Sequence, residues 1–88
     1  MKIPAPCWYV YVLQCRGGSL YTGSTNDIEK RLKKHQRGKG AKYTKARLPV
    51  LLVYFETYTT KSQALKREYA IKQMSRKKKL AMVYPLEK

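Results

Sequence analysis

The 88-residue chain carries 20 lysines and arginines against five acidic residues, a formal net charge of +15, with 43% apolar residues. That length holds one domain, 1–88, with one modest core, and the apolar share excludes a disordered chain. The charge makes a polyanion the natural partner, because a self-repelling cationic fold is stabilised by bound anions. No run approaches the ~18 apolar residues that span a bilayer, so nucleic acid is expected rather than a membrane.

Met1-Lys2-Ile3-Pro4-Ala5-Pro6 lacks the apolar stretch of a secretory signal, and a cytoplasmic location is expected. Cys7 and Cys15 are expected as free thiols. With one strand between them they stand roughly 26 Å apart, whereas a disulfide needs Cα atoms within about 7 Å.

Trp8 to Cys15 reads as a strand, with Tyr9, Tyr11 and Leu13 on one face and Trp8, Val10 and Val12 on the other. Arg16-Gly17-Gly18-Ser19 suits a reversal, so Leu20 to Ser24 is its hairpin partner. Gly23 there allows an unusual backbone angle or a close approach. Ser24-Thr25-Asn26-Asp27 looks like a helix start, with Glu29 in the first turn. Ile28, Arg31, Leu32 and His35 recur at helical spacing until Gly38 and Gly40 end the run.

Gly38 to Pro49 is a basic loop holding Lys39, Lys42, Lys45 and Arg47, with Tyr43 among them. Val50 to Tyr58 is a second strand, expected at the centre of the sheet because its apolar run is continuous. Thr60 and Gln63 form a capping box. It opens a helix through about Met74, with Ala64, Leu65 and Ile71 on its inner stripe. Ser75 caps a last helix, Arg76 to Val83, stopped by Pro85. The order ββαβαα predicts an α+β fold: a small three-stranded antiparallel sheet flanked by helices, with its core over about residues 8–83.

Among the carboxylates, Asp27 and Glu29 are explained by the helix dipole, Glu87 lies in the tail, and Glu56 fits a solvated strand edge. Glu68 falls within about 60° of Ala64, Leu65 and Ile71 on the helical wheel. A carboxylate facing a core must be paired or metal-bound. Pairing with Lys72 one turn on is the simple explanation, a metal ligand the sharper one. Arg31 and His35 flank Ile28 and Leu32 at the seam between helix and sheet. They are either a snorkelling arginine and a helix-closing histidine, or a phosphate-binding pair. Tyr11 and Tyr21 are either core aromatics or phenols turned to a shared surface. The basic loop and Arg76-Lys77-Lys78-Lys79 bind anions or form a soluble cationic face; lysines at a helix start oppose the dipole, so helix stability does not explain them.

Taken together, Tyr9-Val10-Tyr11, Tyr21-Thr22-Gly23, Arg31 and Glu68, in this order and spacing, resemble the GIY-YIG nuclease superfamily. Gly38-Lys39-Gly40-Ala41-Lys42-Tyr43-Thr44 and Ala64-Leu65-Lys66-Arg67-Glu68-Tyr69 are similar to its bacterial single-domain, UPF0213-like branch. Ser24 stands where repair nucleases of the superfamily often carry a lysine, and Leu80 where some carry an asparagine. The resemblance implies a DNA endonuclease using one Mg²⁺ or Mn²⁺, with Glu68 as the sole protein ligand. It further implies that Tyr21 takes a proton from the attacking water with support from Tyr11. Arg31 would hold the phosphate, and His35 would assist proton transfer or contact phosphate. Lys39, Lys42, Lys45, Arg47, Arg76, Lys77 and Lys78 would bind nucleic acid, DNA ahead of RNA. Selectivity is expected for DNA structure rather than sequence, with a protein partner as one source of specificity. The rival readings are a non-catalytic nucleic-acid-binding module and an adaptor in a repair complex.

Overall fold

In the computed structural model, which describes residues 8–85, the chain begins with a hairpin whose turn is set by two glycines. Gly17 and Gly18 adopt φ of 88° and 91°, a region that a Cβ makes costly. The turn closes through Cys15 N–H donating to Ser19 O at 2.8 Å and Gly18 N–H donating to Cys15 O at 2.9 Å. Strands β1 (Trp8–Cys15) and β2 (Leu20–Thr25) thereby pair antiparallel, Tyr11 opposite Gly23 and Leu13 opposite Tyr21.

The third strand, β3 (Val50–Tyr58), pairs antiparallel with the other side of β1, so the sheet order is β2-β1-β3. This corrects the expectation that Val50 to Tyr58 is central. β1 is the strand buried from both faces, with Val10, Tyr11, Val12 and Leu13 all nearly inaccessible. In β3 the apolar run includes Leu51 at 62% and Phe55 at 52% exposure, so its continuity reflects an uncovered edge strand rather than a central one.

The helices are α1 (Ile28–Gln36), α2 (Lys42–Lys45), α3 (Lys61–Lys72) and α4 (Arg76–Val83). The ββαβαα order stands, with α2 a single turn inside the basic loop. Each longer helix starts at a side-chain cap. Asp27 accepts from Lys30 N–H at 3.1 Å, Thr60 and Gln63 form the capping box, and Ser75 accepts from Lys78 N–H at 3.2 Å.

Because β1 side chains alternate, its two faces feed two cores. Tyr11, Leu13, Cys15 and Val50 pack with Tyr21, Ile28 and Leu32 beneath α1. Val10, Ala64 and Ile71 pack with Trp8, Tyr58 and Met74 on the α3 side. Of the stripe expected on α3, Ala64 and Ile71 are buried, whereas Leu65 is 46% exposed. Arg67 and Glu68 take its place on the inner side, which is affordable only because each is paired.

Arg67 pairs with Glu56, which is therefore not a solvated edge residue. Arg67 Nε and Nη2 donate to the two Glu56 oxygens at 2.8 and 2.9 Å, Tyr58 donates at 2.6 Å, and Tyr54 donates as well. Burial alone would raise the Glu56 pKa. Hydrogen bonds from Arg67, Tyr54 and Tyr58, with the Arg67 charge, outweigh it and bring the carboxyl down to about 2. This cluster fastens α3 to β3.

Cys15 is buried and unpaired, and burial pushes its thiol pKa up; Cys7 lies outside the described residues, and so does Glu87. Among the described residues no helix is long and apolar enough to cross a membrane.

Candidate active site

Tyr11 projects from the central strand into the α1 face and lies directly against Gly23 on β2. A Cβ at position 23 would run into the Tyr11 ring and hydroxyl, so this glycine serves a close approach. Tyr11 Oη is 2.9 Å from His35 Nε2, and His35 Nδ1 is 2.8 Å from Thr44 Oγ1. Thr44 in turn donates to Ala41 O at 2.9 Å. His35, in the last turn of α1, and Thr44 on α2 are both inaccessible to solvent. Gly40 is packed against the imidazole so closely that a Cβ there would overlap the ring.

The electrostatics follow from this burial. Desolvation, reinforced by Tyr21 and Glu68, drives the Tyr11 phenol well above the ordinary range, and the Arg31 charge offsets only part of it. Desolvation also lowers the His35 pKa, and Arg31 lowers it further. A neutral phenol therefore faces a neutral imidazole at physiological pH.

Tyr21 is the more accessible phenol. Its ring centroid lies 6.4 Å from that of Tyr11 and 5.4 Å from that of His35, and it stacks on Tyr43 at 6.0 Å. Arg47 holds its guanidinium 3.8 Å from the Tyr43 ring centre, a cation–π contact. An open hollow of about 230 Å³ adjoins these rings, lined by Leu20, Tyr21, Thr22, Tyr43, Lys72 and Lys79. Tyr21 belongs to the α1 face and Thr22 to the α3 face, so the hollow straddles the free edge of β2.

Glu68 reaches the same edge from α3. One carboxylate oxygen accepts from Ser24 Oγ at 2.6 Å, and the other lies 2.7 Å from Lys72 Nζ. Its side chain retains 17% exposure, so solvent reaches it. The ion pair with Lys72 foreseen as the simple explanation is thus present. The Glu68 charge is also one of the influences that raise the Tyr11 pKa. Arg31 is half-buried and lines a second hollow of about 180 Å³ with Thr25, Asn26, Asp27, Lys30 and Lys34. Tyr11, Tyr21 and His35 therefore pack together on the α1 face, with Arg31 on the same helix as His35, while Glu68 approaches β2 from the α3 face at Ser24.

Among the described residues, no three His, Cys, Asp or Glu side chains cluster as metal ligands. A lone carboxylate beside a hydroxyl fits a cation that keeps most of its own waters, as Mg²⁺ does.

The cationic residues divide into two kinds. Lys39, Lys42, Lys45, Lys77 and Lys78 are exposed, whereas Arg47 is half-buried over Tyr43. Arg76 donates to Gly18 O at 3.2 Å and ties α4 to the hairpin turn. Sequence reasoning gave no site role to Thr44 or Tyr43, read Ser24 as part of a helix start at a position where related nucleases often carry a lysine, and left Lys79 out of the binding residues. The tripeptide Lys42-Tyr43-Thr44 was a usable signal for the first two, because an aromatic and a threonine break an otherwise charged run.

Residues 7–81 match the family model described as the GIY-YIG catalytic domain. The UPF0213 protein of Staphylococcus saprophyticus is 61% identical over 75 residues, covering 85% of this chain and 92% of that protein. A Staphylococcus aureus UPF0213 protein is 59% identical over the same length and coverage. The solution structure of a UPF0213 protein from Bacillus halodurans is 49% identical, with a TM-score of 0.57 over 86% of this chain and 81% of that one. A solution structure from E. faecalis is 40% identical, also at 0.57, over 93% and 88% of the two chains. The fold, the paired tyrosine strands and these matches lead to one conclusion: the chain belongs to the GIY-YIG family, with UPF0213 proteins as its relatives, and carries a nuclease-type domain.

Proposed function

We propose that this protein is a divalent-metal-dependent endonuclease that hydrolyses DNA phosphodiester bonds and selects DNA structure rather than sequence. The observation that supports the reading is the packing of Tyr21 with Tyr11 and His35 beside an open hollow at the β2 edge, with Arg31 on the adjoining helix and Glu68 bonded to Ser24 of the same strand. In this reading Tyr21, acting as its phenolate, accepts a proton from the attacking water, whose oxygen bonds to phosphorus as the bond to the leaving oxygen breaks, and that oxygen takes a proton from solvent. Arg31 holds the phosphate by its guanidinium, and Tyr11 and His35 support Tyr21 from the buried side. Glu68 would hold one Mg²⁺ or Mn²⁺, which when bound supplies charge stabilisation at the scissile phosphate. Lys72 and Lys79 flank the hollow and suit the neighbouring phosphates. Lys39, Lys42, Lys45, Arg47, Arg76, Lys77 and Lys78 extend the cationic track. Lysine contacts to phosphates position a duplex without reading bases, which supports selectivity for structure.

The Glu68–Lys72 ion pair is the observation that favours the second reading, a nucleic-acid-binding module without catalysis, because it satisfies the carboxylate without a metal. One assay separates the two. Purified protein is incubated with Mg²⁺ and with supercoiled, branched, flapped and single-stranded DNA, beside Glu68→Ala. The nuclease reading expects cutting by the native protein alone, with binding by both. Equal binding and no cutting on any topology would overturn it.

A further inference from the structure

We propose that Thr44 is a positioning residue that locks His35 in the Nδ1–H tautomer, so that the Nε2 lone pair receives the hydroxyl proton of Tyr11. The argument is a count of protons along one buried line: Tyr11 Oη, His35 Nε2, His35 Nδ1, Thr44 Oγ1, Ala41 O. The successive separations are 2.9 Å from Tyr11 to His35, 2.8 Å from His35 to Thr44, and 2.9 Å from Thr44 to Ala41 O. Three protons must be placed: one on the phenol, one on the neutral imidazole and one on the threonine. The Ala41 carbonyl can only accept, and Thr44 donates its proton there. Thr44 Oγ1 then offers a lone pair to His35, so the imidazole proton sits on Nδ1. Nε2 is left as an acceptor, and Tyr11 donates to it. Every donor in the line has a partner.

The opposite tautomer breaks the line at its far end. A proton on Nε2 would point at Tyr11 Oη, and the phenol proton would need another acceptor. Among the described residues the Tyr11 hydroxyl has no hydrogen-bond partner except His35. The phenol is 3% exposed, so water does not readily replace one. A buried donor without an acceptor is disfavoured. The packing agrees with this arrangement. Gly40 packs against the ring, and Thr44 is held on a one-turn helix whose capping residue, Ala41, supplies its acceptor. The tautomer also fixes what Tyr11 presents to the catalytic side. With its proton committed to His35, the oxygen offers only lone pairs toward Tyr21 and Arg31. The catalytic consequence rests on the nuclease reading; the tautomer does not.

The chain contains one histidine, so its ring-nitrogen NMR spectrum is unambiguous. The uniformly ¹⁵N-labelled native protein, without DNA or metal, should show a protonated, pyrrole-type Nδ1 and a pyridine-type Nε2. A proton on Nε2 overturns the proposal, whatever the variants do. Thr44→Val removes the acceptor and should move the proton to Nε2, while Thr44→Ser should retain the native spectrum. In the cleavage assay Thr44→Val should cut about 100-fold more slowly at unchanged DNA affinity, with Thr44→Ser restoring the rate to within a few-fold. Unaltered cutting by a Thr44→Val protein whose tautomer has switched overturns the positioning role. A native protein that cuts no DNA sinks the nuclease reading instead, and leaves the tautomer to be decided by the metal-free spectrum.

Discussion

Lys72 Nζ stands 2.7 Å from Glu68 Oε2, so the carboxylate proposed as the metal ligand already has a cation one helical turn away. The two charges compete for one oxygen. Lys72→Met should therefore tighten Mn²⁺ binding about two- to fivefold, the range expected from an ion pair worth up to about 1 kcal/mol at a half-exposed site. Calorimetric titration with Mn²⁺ measures this directly. Weaker binding in the variant would show that Lys72 assists the metal rather than opposing it.

The two phenols of the site should separate cleanly. Tyr21→Phe is expected to reduce cutting by roughly 10²–10⁴-fold, the usual contribution of a proton-transferring group. Its stability should hardly change, since the Tyr21 hydroxyl has no hydrogen bond among the described residues. Tyr11→Phe removes the contact to His35 and should cost about 1 kcal/mol in chemical denaturation. If Tyr21→Phe cuts normally, proton transfer does not pass through this residue.

Gly23→Ala places a methyl group against the Tyr11 ring and hydroxyl. The ring is buried and bonded to His35, so the variant should lose about 1–3 kcal/mol of stability and most of its cutting. A denaturant midpoint equal to the native value would mean that the sheet absorbs the methyl group at this point.

Acid should weaken the fold through Glu56. Its carboxyl lies at about 2 in the folded chain against an ordinary 4.5, so the unfolded state takes up protons first as pH falls. The stabilisation is present above pH 4.5 and is lost progressively down to about 2. It amounts to something on the order of 2–3 kcal/mol. Thermal melts should show the midpoint falling across that interval, and Glu56→Gln should flatten the dependence while lowering stability at neutral pH.

Binding to DNA should be steeply salt-dependent. Six neutralised phosphates give a slope of about −5 in log affinity against log salt. Replacing Lys42 or Lys45 by Ala should each reduce the slope by about 1 without changing preference among sequences. Fluorescence anisotropy over a salt series tests this, and a flat series would exclude phosphate contacts as the source of affinity.

Much of the fold was legible because local signals agreed with tertiary placement. Alternation in Trp8–Cys15, the glycine pair of the turn, and the Thr60 and Ser75 caps all appear where expected. The rank of β3 in the sheet was not legible, since an apolar run reads alike whether both faces are covered or Leu51 and Phe55 lie open. Glu56 was misread because its partner Arg67 comes from another element, a contact no periodicity reveals. At the site, Tyr11, Tyr21, Arg31, His35 and Glu68 were all nameable in sequence. The line behind His35 was not, because a threonine among lysines looks solvated until a helical turn folds it inward.

Arg67 and Glu68 are adjacent on α3 yet grip opposite borders of the sheet, the first at Glu56 of β3 and the second at Ser24 of β2. The helix is thus gripped from two sides at a single turn, with β1 running beneath it. Its rotation about its own axis is fixed by the arginine, and that rotation aims the acid. An ion pair on one border of the sheet thereby governs how the acid meets the other.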